Sequence, residues 1–281
     1  MTKGWSIKVI SKTDRGGHGK LLMFPIRNHI RETLGIQKSR QIRRLVSAAT
    51  FAPGARTDLK TIGQSCRDSG AFFLVDGAQA VGVLDLNVCR DLIDGLAFST
   101  QKGLLGLYGL GFLYCRSDWA EQMSPRSIAR FSVDTSGHEA DFDPEYKLRR
   151  SALRFDLGNY NFLAATAVEP SLDLLLRIGT PAIDRYLSSL SASLIDGLVE
   201  NDLPVVGGRG KAICNIVTAG TPAATNGSAA GERYISILQA LVEAGIVLSS
   251  RRGLLRFSFH VYNTNADVER VLHAVKSGDR K

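Results

Sequence analysis

Three short apolar runs stand close together in the chain: Phe72 to Val75, Gly95 to Phe98 and Gly109 to Tyr114. Each is too short for a helix, is rich in aromatic or branched residues, and is bounded by glycine or an acid. Each is therefore predicted to be a buried strand. The first run ends in Asp76-Gly77, with Gln79 close behind, and the second ends in Ser99-Thr100-Gln101-Lys102. In an open parallel sheet, ligands sit beyond the carboxyl ends of the strands. An acid, an amide, hydroxyls and a lysine would then converge on one cleft.

That set of groups suits pyridoxal 5'-phosphate. A lysine such as Lys102 can form a Schiff base with the aldehyde, and a carboxylate such as Asp76 can hold the pyridine nitrogen protonated. Gln79 would donate to the ring hydroxyl and Ser99 would reach the phosphate. A plainer reading stands beside this one. Asp-Gly after a strand also makes an ordinary turn, and a lysine after a strand also faces water.

The segment resembles the core of the class V aminotransferases, a pyridoxal-phosphate group that includes cysteine desulfurases, selenocysteine lyases and isopenicillin-N epimerase-like enzymes. The family's D-G-x-Q segment falls on Asp76 and Gln79, and its serine, histidine and Schiff-base lysine fall on Ser99, Gln101 and Lys102. The histidine is thus a glutamine here, which hydrogen-bonds but does not share a proton near neutral pH. The pattern G-L-x-G-x-x-G-x-G-F-L-Y continues the match through Tyr114. The resemblance implies an α/β fold: an incomplete aspartate-aminotransferase-like large domain over residues 1–178, and a smaller α+β domain over 179–281. The sheet is expected to be mostly parallel with an antiparallel final strand. Family members carry roughly a hundred further residues ahead of Trp5, a domain-sized share. Those residues hold the first two strands, a glycine- and threonine-rich phosphate loop and a ring-stacking side chain. The chain therefore reads as N-terminally truncated relative to the family.

Ahead of the central stretch, strands are expected at Trp5 to Ile10 and Arg44 to Ala48, with a polar turn over Thr13 to Lys20 and a helix over Pro25 to Leu34. GGHGK at 16–20 lacks the spacing of a nucleotide phosphate loop, as does GGRGK at 207–211. Thr57 is the expected N-cap of a helix that returns Leu59, Ile62 and Cys66 to one face.

The net charge of +8, from 35 basic and 27 acidic residues, suits an anionic cofactor or substrate but forms no basic stripe interleaved with aromatics. Nucleic acid is not an expected partner. The 4 cysteines and 5 histidines show no metal-ligand spacing, so no metal is expected. No signal-peptide pattern and no long apolar run occur, so neither a membrane nor the secretory route is expected, and the default compartment is the cytoplasm.

Beyond a polar excursion at Ser124 to Lys147, RRSALRFDLGNYN resembles the family's R-F-E-x-G-T-x-N segment, with Asn159 in place of the threonine. The resemblance implies that Asn159 reaches the cofactor phosphate of a neighbouring subunit in a homodimer. An Asn-rich helix start reads equally well. Helices are expected at Phe162 to Ile178, at Pro181 to Glu200 with Thr180 as its cap, and at Arg233 to Ala244. Strands are expected at Ile213 to Val217, at Ile246 to Leu248, and through Leu255, Phe257 and Phe259, which would place Arg256 and Ser258 on the opposite face. Thr264 and Asp267 read as a capping box. Arg256 should seek a carboxylate, because burying it unpaired is costly. That partner is either a salt bridge within the chain or, by resemblance to the family's R-x-S-x-x-x-Y-N-T ending, the carboxylate of an amino-acid substrate.

The reaction expected is a pyridoxal-phosphate-dependent transformation of an amino acid, foremost an aminotransferase. The alternatives are a carbon–sulfur or carbon–selenium lyase, and a noncatalytic family remnant that serves as a scaffold. None of the four cysteines lies within the forty residues before Arg256, which disfavours desulfurisation through a cysteine persulfide.

Overall fold

The structure, a computed structural model, describes residues 20–24, 43–134, 146–208, 214–221 and 229–279. Along the chain these form β1 (Lys20–Phe24), β2 (Arg43–Ser47), α1 (Leu59–Asp68), β3 (Phe72–Asp76), β4 (Gly95–Ser99), β5 (Gly111–Cys115) and α2 (Ser117–Gln122). There follow β6 (Val133–Asp134), β7 (Lys147–Leu148), α3 (Phe162–Ile178), α4 (Thr180–Glu200), β8 (Ile216–Gly220), α5 (Ala229–Glu243), β9 (Ser249–Arg251), β10 (Leu254–Ser258) and α6 (Asn265–Asp279). The strand expected at Trp5 to Ile10 and the helix at Pro25 to Leu34 lie outside the described residues. Two compact units result. The first takes Met1–Val46, Leu59–Ala78 and Asn87–Ser171, and the second takes Ser47–Asp58, Gln79–Leu86 and Leu172–Lys281.

The first unit is α/β, built on a mixed sheet. Among the described residues its strand order is β1-β5-β4-β3-β2. The three apolar runs become β3, β4 and β5. β3 and β4 are parallel, with Asp76 opposite Ala97, while β5 runs antiparallel to β4, with Ser99 opposite Gly111. The antiparallel final strand is thus present. Alternation along β3 sends Phe72 and Leu74 into a cluster with Ala97, Leu113, Cys115 and Phe155, where Trp119 of α2 meets Phe72 edge-on at 5.4 Å. Phe73 and Val75, on the other face, are fully buried as well. Burial on both faces explains why these runs read as continuous apolar stretches rather than as alternating ones. β1 pairs antiparallel with β5, Lys20 opposite Cys115.

The second unit is a smaller α+β assembly with a sheet of order β8-β10-β9, antiparallel throughout. The apolar face expected of α4 is buried at Ile183, Leu187, Leu190, Leu194 and Leu198. Each such leucine contributes roughly 2 kcal/mol of burial. That outweighs a start at Gly179, which has no side-chain cap; a missing cap costs about 1 kcal/mol. Thr180, the expected cap, is the first helical residue instead. In β10, Leu255 and Phe257 are buried as predicted. At α6, Asp267 completes the return half of the capping box, its carboxylate accepting from the Thr264 N–H at 2.8 Å.

Two local expectations are corrected. Thr57 does not cap α1: its hydroxyl donates to the Ser47 carbonyl at 2.7 Å and its N–H to that of Ala48 at 3.0 Å, closing the loop after β2. Ile246 to Leu248 is not a strand. The Ile246 N–H donates to Leu241 O at 2.9 Å and the Gly245 N–H to Val242 O at 2.9 Å, the hydrogen-bond pair that finishes a helix C-terminus. Pairing with β10 begins only at Ser249, whose partner is Arg256.

Candidate active site

In the first unit the carboxyl ends of β3 and β4 lie side by side, and the residues singled out from the sequence stand there. Asp76 closes β3, half-buried, and its Oδ1 accepts the Ala78 N–H at 2.9 Å. The next N–H, that of Gly77, is held by Ala97 O of β4 at 2.8 Å, which ties the turn to the neighbouring strand. Ser99 ends β4 and is 8% exposed. The buried Thr100 hydroxyl donates to Leu107 O at 2.7 Å, and the Gly106 N–H to Thr100 O at 2.8 Å, so the loop 100–110 folds back on itself. Gln101 is half-buried, and its Oε1 is fully buried with no hydrogen-bond partner. Lys102 is exposed on this loop, where its carbonyl accepts from Leu105.

The segment bearing Asn159 belongs to the same unit and is tightly built. The hydroxyl of Tyr160 donates to the buried Asp156 carboxylate, whose other oxygen accepts the Gly158 N–H at 2.8 Å. Burial, followed by the bond to Asp156, raises the Tyr160 pKa above the ordinary phenol value. Asn159 is exposed with φ +51°, a left-handed conformation that asparagine tolerates. Asn161 is the cap of α3, its Oδ1 accepting the Ala164 N–H at 3.0 Å. Arg154 binds the main-chain carbonyls of Arg149, Glu121 and Met123.

In the second unit Arg256 of β10 is half-buried and all its recorded partners are neutral. Its Nε donates to Phe51 O at 2.7 Å, and Ser258 Oγ and Gln79 Oε1 each accept at 3.4 Å. The Phe51 ring lies under the guanidinium, with Cζ 4.2 Å from the ring centroid. Burial without a counter-anion lowers the Arg256 pKa from the ordinary arginine value. The intramolecular salt bridge weighed for Arg256 is therefore absent among the described residues. Gln79, expected near a cofactor hydroxyl, has its carbonyl turned to Arg256. The same unit holds a cleft of about 350 Å³ bordered by Arg56, Asp85, Pro181, Asp184, Arg185 and Ser188. Sequence reasoning missed Phe51, 205 positions from Arg256. Nothing local in its loop signals that partnership.

The comparisons with known proteins agree with this arrangement. The family description Aminotransferase class-V matches residues 6–271. The chain belongs to the class-V aminotransferase family. An uncharacterized aminotransferase of Bacillus subtilis is 28% identical over 225 residues, 80% of this chain and 55% of that protein. A probable cysteine desulfurase of Pyrococcus abyssi is 27% identical over 236 residues, 81% of this chain and 57% of that protein. The solved structure of a cysteine desulfurase from Thermococcus onnurineus matches with a TM-score of 0.71 at 28% identity, covering 83% of this chain and 59% of that one. The chain thus spans about half the length of the curated relatives it matches.

Pyridoxal phosphate is the cofactor of this class-V family, and the groups present fit it. An acid at a strand end, an exposed primary amine, and a buried amide with an open hydrogen-bonding position stand together at one edge of the sheet. Among the described residues no group of three or more His, Cys, Asp or Glu is placed to hold a metal ion, and no helix is long and apolar enough to cross a membrane.

Proposed function

We propose that the chain acts in pyridoxal-phosphate-dependent cleavage of the carbon–sulfur bond of a sulfur-containing amino acid. Two observations support this reading. Relatives of known name are predominantly cysteine desulfurases. In the chain itself, Arg256 is a half-buried cation whose recorded partners are all neutral, which suits it to the carboxylate of an amino acid. That arginine carries the proposal.

The cofactor, when bound, supplies an electron sink for bonds broken at the substrate α-carbon. Lys102 would anchor it covalently and then hold the α-proton on Nζ. Asp76 would keep a proton on the ring nitrogen, while Gln79, Ser99 and Gln101 orient the ring and phosphate. Asn159 would donate to the phosphate of the neighbouring subunit in a homodimer. No cysteine stands between 215 and 256 to carry a persulfide, so sulfur would leave as sulfide. Cysteine and water then give pyruvate, ammonia and hydrogen sulfide. A second reading, transamination, rests on the similarity to an uncharacterized aminotransferase.

The test begins with borohydride reduction of the protein supplied with pyridoxal phosphate, followed by peptide mass mapping. The adduct is expected on Lys102; a single adduct on another lysine overturns that assignment, and no adduct on folded protein favours the scaffold reading. A panel of L-cysteine, L-cystine, selenocysteine and L-alanine then separates the reactions. Sulfide with pyruvate supports the lyase. Keto-acid formation that a second keto acid reverses would favour the aminotransferase instead.

A further inference from the structure

Phe51 touches Arg256 twice. Its carbonyl accepts the Nε–H at 2.7 Å, and its ring covers one face of the guanidinium at 4.2 Å. Either contact alone would leave the planar group free to turn. The carbonyl bond lies in the guanidinium plane and the ring stacks against that plane, so together they fix both its direction and its tilt. Nη1 and Nη2 are held only by long contacts of 3.4 Å to Ser258 and Gln79. Bonds of that length are weak and readily exchanged for a carboxylate at ordinary hydrogen-bond distance.

The loop that carries Phe51 is itself braced. The Thr50 N–H donates to Ala55 O at 3.0 Å, and the Ala55 N–H to Thr50 Oγ1 at 2.9 Å. The Cys214 thiol donates to Gly54 O at 2.9 Å, fastening the loop to the chain just ahead of β8. Phe51 nevertheless keeps 48% of its surface exposed. A large ring left half-open on a braced loop is poor core packing, and a flat cation against its face is what such a ring binds well.

We propose that Phe51 is a positioning residue for substrate. It locks the Arg256 guanidinium by its ring face and carbonyl, so that the two Nη groups are presented to the α-carboxylate of an amino acid. This rests on the assignment of Arg256 to the substrate carboxylate. The ring adds a requirement that lysine at 256 would not meet, because the planar fork is what stacks and binds two oxygens at once. The main-chain carbonyl survives any substitution of Phe51, so loss of the ring weakens substrate binding without abolishing it.

The experiment compares Phe51→Leu, Phe51→Trp and Arg256→Ala in the full chain loaded with pyridoxal phosphate. L-alanine and L-cysteine serve as probes, with affinity read from cofactor absorbance and, separately, by calorimetry; KM and kcat are measured on L-cysteine. For Phe51→Leu, affinity should fall about three- to tenfold, the range for loss of one cation–π contact. KM should rise while kcat holds within about twofold, as expected when uniform binding is lost. Phe51→Trp should restore affinity, and Arg256→Ala should weaken it further than Phe51→Leu. Unchanged affinity in Phe51→Leu alongside a loss in Arg256→Ala would overturn the role of Phe51 and leave the carboxylate assignment standing. Failure of Phe51→Trp to restore binding would also overturn it, since packing rather than the ring face would then be at work. No loss in Arg256→Ala would remove the carboxylate assignment and the inference with it.

Discussion

Asp184→Ala should destabilise the second unit by about 3 kcal/mol, and the figure follows from what the carboxylate holds. Asp184 lies on α4, 6% exposed, and accepts both Nη groups of Arg56 at 2.9 and 2.7 Å. It also accepts the Asp85 N–H at 2.9 Å and the Ser188 hydroxyl at 3.3 Å. Removing one partner of a buried ion pair costs about 3–5 kcal/mol, because the other charge is left stranded. The Arg56 side chain, however, is 33% exposed and can recover water, which moves the ion-pair share to or below the lower end of that range. The orphaned Asp85 N–H adds about 1 kcal/mol. Asp184→Asn keeps the shape and one acceptor oxygen, so its loss should be about half as large. Urea unfolding of the full chain is the assay, and the signal matters. Trp5 and Trp119 both fall in the first unit, so fluorescence would miss the change. Far-ultraviolet circular dichroism follows α4, α5 and α6. The midpoint should fall by about 1 M for Asp184→Ala, given a denaturant slope of a few kcal/mol per molar. A loss below about 1 kcal/mol would refute the reasoning, since a surface pair would behave that way.

Two further outcomes are expected. At Gly54, with φ +84°, an added Cβ would lie 2.2 Å from Ile216 O, whereas at Gly70, with φ +63°, it would meet nothing within 4 Å. Gly54→Ala should therefore cost about 3 kcal/mol and Gly70→Ala only about 1, by the same urea assay; equal losses would show that backbone strain alone operates. Among the cysteines, the exposed Cys89 should react with iodoacetamide in the folded protein. Cys115, whose thiol burial pushes up to about 12, should stay unlabelled until unfolding, and mass mapping that finds both labelled at similar rates would contradict this.

The central sheet strands and most helices were legible in the sequence because they depend on neighbours a few positions away. The three apolar runs became β3, β4 and β5, and the leucines of α4 returned to one face, because burial repeats with the period of the backbone. The residues Asp76, Ser99, Gln101 and Lys102 were legible for a related reason: a strand end delivers whatever follows it to the same edge of the sheet. The boundary of β9 was not, because the C-terminal hydrogen bonds after α5 and the pairing with β10 compete for the same residues.

What the sequence could not contain was the choice of partners for its polar groups. Arg256 was recognisable as a cation in an apolar strand, yet the tertiary structure alone chose Phe51 rather than a carboxylate to hold it. Arg56 and Asp184 are 128 positions apart and carry no mutual signature, and Asp85 joins them from 99 positions away. Hydrophobic patterning is local and decides which face is buried. Hydrogen bonds and ion pairs act over a few ångströms, so their partners are decided only when loops and strands from distant parts of the chain have been brought to a common register.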